Sequence, residues 1–208
     1  PYQNVRYDTL RVPFKEVRWK TSVMINRRAY IGNVRIIKSD GSTHIEPDTI
    51  YKSRVNKFDT FTESGKITVA SGDGEDIIAL VDYADRLLQF KDKTLHIINV
   101  QQKEFLEDSH RHKVVSNVQA VVKTDFGVAW ANSHGAYLYD GRTIQDLIEG
   151  KGMRSMTSKQ WSDFVTDKVS VGYIPDKRQI IFVDSYDDSS DGNIFIYDMI
   201  TKSWVKGY

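Results

Sequence analysis

Between Ile77 and Val100 the chain reads IIALVDYADRLLQFKDKTLHIINV. Three apolar runs, Ile77–Val81, Leu87–Phe90 and Leu95–Val100, are separated by the polar breaks Asp82–Arg86 and Lys91–Thr94. Runs of four to six Ile, Val, Leu and Phe residues closed by Asp/Lys turns predict antiparallel strands joined by hairpins. A lone three-stranded meander leaves apolar surface uncovered, so it must belong to a larger set.

The same order recurs. Residues 19–37 predict a hairpin with arms Trp19–Ile25 and Ala29–Ile37 around Asn26-Arg27-Arg28, and Ser39–Ser42 reads as a further turn. Residues 38–48 read as a loop and Thr49–Val55 as a strand. Asn56–Phe61 is expected to leave the sheet, and Gly65–Ala70 to form a short crossing strand. Val118–Asp140 predicts strands at Val118–Val122, Val128–Ala131 and Ala136–Tyr139, with turns at Thr124–Gly127 and Asn132–Gly135. Val169–Trp204 predicts strands at Val169–Ile174, Gln179–Val183 and Asn193–Tyr197, with a last strand from Ser203. Pro175 opens its first turn, where a fixed φ is favourable. Residues 141–166 form a long connection, in which Thr157-Ser158-Lys159-Gln160-Trp161 reads as a capped helical start.

The middle strands centre near Ile31, Leu88, Ala129 and Ile181, a spacing of roughly 40 to 57 residues, close to that of four-stranded propeller blades. The expected fold is therefore all-β and β-propeller-like, with antiparallel four-stranded blades, about four of them in view. Approximate blades are residues 19–61, 65–108, 114–150 and 167–208, and residues 1–18 read as a linker or edge segment. An antiparallel sandwich uses the same local signals. The shared strand order and the aromatic closes of two units (Tyr137, Tyr139; Phe195, Tyr197) favour the propeller.

Composition changes this picture little. Lys+Arg 29 against Asp+Glu 28 gives a net charge of +1 over 208 residues, so no bulk field points to nucleic acid or an anionic membrane. There is no cysteine, which excludes disulfides, thiolate nucleophiles and Cys-based zinc sites. No apolar run reaches the ~18 residues of a membrane-spanning helix. The chain starts at Pro1, and the expectation is a piece of a longer polypeptide.

Ile50–Ile98 carries more than generic strand pattern. It holds Tyr51-Lys52-Ser53, then Lys57-Phe58-Asp59-Thr60-Phe61, Gly72-Asp73-Gly74-Glu75-Asp76-Ile77 and Asp85-Arg86-Leu87-Leu88-Gln89-Phe90-Lys91. That order resembles the propeller domains of bacteriophage tail proteins: tail nozzle or tail-tube proteins, and the packaged-DNA stabilisation proteins of short-tailed phages. Leu138–Ile144 is similar to the blade close of the same proteins. The resemblance covers about fifty residues in detail and describes blade geometry. It implies a virion structural protein, assembled in the host cytoplasm, that self-associates into a ring, often a hexamer, at the tail end of the portal–adaptor column. Its implied partners are portal or adaptor proteins, tail fibres and, loosely, DNA in the channel that is retained and then ejected.

Candidate chemistry is sparse. Asp187, Ser189 and Asp191, with Gly192 and Asp198, have the spacing of a calcium loop. Ser189 in place of an acid, the short Asp198 and strand-like flanks favour a solvated acidic hairpin loop. Ser71–Asp76 could meet an ion through its backbone or carboxylates, but reads better as a connector between blades. His110 and His112 alternate, with no carboxylate at ligand spacing, and His96 in a strand reads as packed or at an interface; His44 and His134 suggest nothing further. Arg6, Arg11, Lys15, Arg18 and Lys20 interleave with Tyr2, Tyr7, Phe14 and Trp19, which suits a surface near DNA or a contact between subunits. No Gly-x-Ser-x-Gly, phosphate loop, GxGxxG or His-Glu-x-x-His motif occurs. The expected protein is not an enzyme and has no catalytic, cofactor or metal residue. Two other classes stay open: a cellular propeller binding a protein or glycan, and a propeller-scaffold glycoside hydrolase working through separated carboxylates.

Overall fold

The computed structural model describes residues 6–7, 14–148, 156–184 and 194–207. The chain is all-β and propeller-like, with four meanders in series, and it divides into two compact units, Pro1–Arg111 and His112–Tyr208.

The first unit holds two sheets. Strands β1 (Arg6–Tyr7), β2 (Phe14–Ile25), β3 (Arg28–Lys38), β4 (Thr43–Arg54) and β5 (Lys57–Ile67) form the first, in the order β1-β5-β4-β3-β2. The hairpin around Asn26 and Arg27 forms as expected, both residues having the positive φ that a two-residue hairpin turn needs. Three expectations are corrected. The expected loop over residues 38–48 shrinks to the turn Ser39–Ser42, because β4 begins at Thr43 and pairs with β3 from Thr43↔Ile37 onward. Asn56–Phe61 does not leave the sheet, because β5 pairs back onto β4 at Arg54↔Lys57 and Ser53↔Phe61. The sheet is five-stranded, because β1 adds in parallel at Thr60 and Phe61. Pro47, which cannot donate to a ladder, falls in the irregular step where Val34↔Glu46 gives way to Gly32↔Ile50.

The second sheet contains β6 (Ile77–Tyr83), β7 (Arg86–Lys91), β8 (Thr94–Asn99) and β9 (Phe105–Arg111), in sequence order. The three expected strands are present, and β9 completes the meander as an exposed outer strand. Ile25, Tyr30, Ile50 and Ile67 of the first sheet share one core with Ile77, Leu80, Leu87 and Ile98 of the second. Gly32 permits the close approach, since a Cβ there would lie 3.0 Å from Leu80 Cδ1. Polar ties join the layers. Leu80 N–H donates to Thr21 Oγ1 (3.0 Å), Asn33 Nδ2 to the Ile77 carbonyl (3.1 Å), and Lys52 Nζ pairs with Glu104 Oε1 (2.6 Å). Burial, reinforced by the charge of Glu104, pushes the Tyr30 hydroxyl up to about 12.

The second unit repeats the meander twice. Its sheets are β10 (Val121–Thr124), β11 (Gly127–Asn132), β12 (Gly135–Tyr139) and β13 (Ile144–Asp146), then β14 (Ser170–Ile174), β15 (Gln179–Val183), β16 (Ile194–Asp198) and β17 (Ser203–Gly207). Val118–Ala120, expected in a strand, is a 3-10 turn instead. The Asn117 side chain accepts from Gln119 N and Ala120 N and holds it. Pro175 opens a similar 3-10 turn that ends on Arg178 at φ 52°. The expected helical start is α1 (Ser158–Phe164), with Thr157 and Gln160 forming a reciprocal capping box. Trp161 of α1 is buried against Phe182 and Trp204, and its Nε1 donates to the Asn132 carbonyl (2.9 Å).

Two turns show the repeat at atomic detail. Asp140 Oδ1 accepts from Arg142 N and Thr143 N between β12 and β13. Asp198 Oδ1 accepts from Ile200 N and Thr201 N between β16 and β17. Each Asp follows a buried Tyr, Tyr139 or Tyr197. A side chain that binds backbone two and three residues on closes a tight turn, with Gly141 at positive φ inside the first and no glycine inside the second.

Candidate functional site

The densest polar cluster among the described residues lies on the second sheet. Lys91, read in the sequence as part of a polar break, ends β7 with its side chain wholly buried, and its Nζ meets Asp73 Oδ1 at 2.6 Å. Asp73 comes from the connector Ser71–Asp76. The same connector sends Glu75 back to β8, accepting from Lys93 N (3.1 Å) and Thr94 Oγ1 (3.1 Å). Asp76 N donates to Asp92 Oδ2, and Gly72 N to Asp48 Oδ2 (2.6 Å). These carboxylates are committed to protein donors, which supports the connector reading over an ion loop.

His96 sits on β8 beside this pair. Its Nδ1 lies 2.8 Å from Ser109 Oγ on β9 and its Nε2 lies 3.5 Å from Asp73 Oδ2. Serine, histidine and aspartate are thus in line, but in the reverse of the hydrolytic order, where serine faces Nε2 and aspartate faces Nδ1. Asp73 is bound more tightly to Lys91 than to the imidazole. The line ties connector, central strands and outer strand together.

Electrostatics follow the geometry. Burial, then the charge of Lys91, holds the His96 imidazole below its usual range against the pull of Asp73 and Glu75. Burial alone would raise Asp73, but the hydrogen bonds from Lys91 and Glu75 N–H, with the Lys91 charge and the approach of His96, outweigh it and hold the carboxyl low. Because His96 binds its proton less readily folded than unfolded, its contribution is complete above about pH 6.5 and is lost as the pH falls from there through the folded-state value. Thermal melts of the full chain should show the first unit losing stability between about pH 7 and pH 5, and a His96→Gln variant should flatten that slope.

A pair of substitutions separates the partners. Asp73→Asn leaves the buried Lys91 ammonium without its counter-charge and should cost about 2–3 kcal/mol in urea denaturation, discounted for the partial exposure of Asp73. Lys91→Met should cost less, because Asp73 is 34% exposed and water can take it up.

The other candidates disperse. The calcium-spaced residues Asp187–Gly192 lie outside the described residues; Asp198, the fifth member, accepts the turn N–H groups described above. His110 does have a carboxylate neighbour, contrary to expectation: its Nε2 lies 2.9 Å from Asp108 Oδ2. His112 turns away at φ 64° and packs on the His134 ring at 5.5 Å. His44 meets Glu46 at 2.9 Å, and Glu46 also accepts from Tyr51 Oη and Lys66 Nζ. No group of three His, Asp or Glu side chains able to hold a metal ion occurs among the described residues. In the basic and aromatic N-terminal stretch, Arg18 is paired with Glu16 (2.6 Å) and Trp19 packs on the first sheet's core. Neither is presented as a stacking platform. Among the described residues no helix is long and apolar enough to cross a membrane.

Comparison with known proteins adds one structural likeness. The chain is similar to the WD40 domain of SCAP from fission yeast. Identity is 12% and the TM-score 0.40, with 95% of this chain and 52% of that chain covered. The chain thus spans about half the length of that structure. No family model matches the sequence, and no curated protein matches it.

Sequence reasoning missed the cluster for a definable reason. Its members Asp73, Lys91, His96 and Ser109 are spread over four elements and meet through strand register. The available signal was a single one: a lysine at the alternation position of a run otherwise made of Leu87, Gln89 and their buried neighbours.

Proposed function

We propose that the chain is a structural, non-enzymatic component of a phage tail, built to self-associate as a ring that retains and passes the genome and docks other tail parts. The observation that carries this reading is the stretch Ile50–Ile98, whose residue order resembles phage tail propeller domains and which here runs from β4 through β8. Two further features support it. The polar clusters of the first unit close on themselves, as suits a rigid part with a mechanical task. The net charge of +1 suits a wall past which DNA slides without being held. Portal or adaptor proteins and tail fibres are the partners this role requires.

Immunogold labelling of virions with antibody raised against the purified chain tests the location. Label at the tail end of the particles is expected. Particles without label, with the protein free in the host cell, would sink the reading.

A further inference from the structure

Gln89 lies in the middle of β7 at 0% exposure, and neither Nε2 nor Oε1 has a hydrogen-bond partner among the described residues. A primary amide brings two donors and an acceptor oxygen, and burying them unpaired is among the costlier defects a folded protein can carry. The surroundings show how it is met. Gln89 stands directly opposite His96 on β8, whose Nε2 is also buried without a hydrogen-bond partner. The 3.5 Å approach of that nitrogen to Asp73 is an ionic contact at the outer limit of a hydrogen bond. Lys91 follows two residues along on the same face. Leu80, opposite Gln89 on β6, is tied to Thr21 of the first sheet. The amide therefore points into the layer between the two sheets of the first unit, where Leu80 and Leu87 share a core with Tyr30 and Ile50.

We propose that this layer contains a binding site for ordered water, held by the Gln89 amide and His96 Nε2 beside the Lys91–Asp73 pair. The amide needs an acceptor for its N–H groups and a donor for its oxygen, and one small neutral molecule supplies both. A metal cation is repelled by the Lys91 ammonium, an anion by the Asp73 carboxylate, and an apolar ligand would leave the amide as it is. Cross-strand neighbours stand with their Cβ atoms about 5 Å apart, which brings the Gln89 amide and the His96 ring to one place, and buried waters make two to four bonds to otherwise unpaired groups. Its role is to join the faces of the two central strands to the connector through His96.

The test is a high-resolution crystal structure of the full chain and of its Gln89→Met variant, with thermal melts of both. Methionine keeps the volume and removes the amide. The expected result is water density within about 3.2 Å of a Gln89 amide atom in the parent, its loss in the variant, and a melting temperature lowered by about 3 °C or more as His96 loses its bridge. Absence of water from both amide atoms in the parent overturns the proposal, whatever the melts show. So does a raised melting temperature in the variant, the mark of an amide that was unpaired and costly.

Discussion

Replacing Trp161 with alanine should cost the second unit about 3–5 kcal/mol, the range for truncating a large buried aromatic side chain. Trp161 is 1% exposed, and its ring meets Phe164, Phe182 and Trp204 at centroid distances of 5.5–5.7 Å. The loss has two parts. A cavity opens beneath α1, a helix of seven residues that is too short to persist without its anchor. The Asn132 carbonyl loses the Nε1 donor, and Asn132 also holds His112, Val114, His134 and Gly135 through its side chain. Trp161→Phe keeps most of the packing and should cost much less, about 1 kcal/mol for the hydrogen bond plus the smaller ring. Equilibrium urea denaturation followed by tryptophan emission and circular dichroism would measure both. Near-equal effects of the two variants would mean that the ring is not the anchor.

Gly127→Ala should be nearly as damaging, about 3 kcal/mol, through the backbone rather than the core. Gly127 starts β11 at φ +147°, and a Cβ there would collide with the Tyr139 carbonyl of the neighbouring strand. Thr124 closes the same turn, its Oγ1 donating to the Gly127 carbonyl (3.0 Å) and accepting from Phe126 N. Relief of the collision must part β11 from β12 at Val128↔Tyr139, where both side chains are buried. The variant should show a lowered melting temperature and faster amide exchange at Val128 and Tyr139. Parent-like exchange at those two positions would contradict this.

Where side-chain burial alternates with turns, the sequence was readable. Ile77–Val100 became β6 to β8 almost residue for residue, since β7 and β8 are buried along nearly their whole length and their turns are polar. Thr157 with Gln160 announced α1 because a capping box is a local chemical signature. The misreadings fall where backbone pairing acts without an apolar stripe. Thr43–Ile45 at the start of β4 are exposed, so residues 38–48 read as a loop, yet register with β3 carries the strand through. β9 is exposed along almost its full length and was not placed as a strand. Lys91 looked solvated because its neighbours Asp92 and Lys93 are exposed, and its burial depends on an aspartate 18 residues away that no local pattern connects to it.

The tail-ring reading bears most directly on mass. Sedimentation velocity of the purified full chain, over a dilution series at moderate salt, should give one dominant species at an integer multiple of 23.9 kDa that persists on dilution, as a closed ring with complementary subunit contacts would. A single species of 23.9 kDa at every concentration would contradict it.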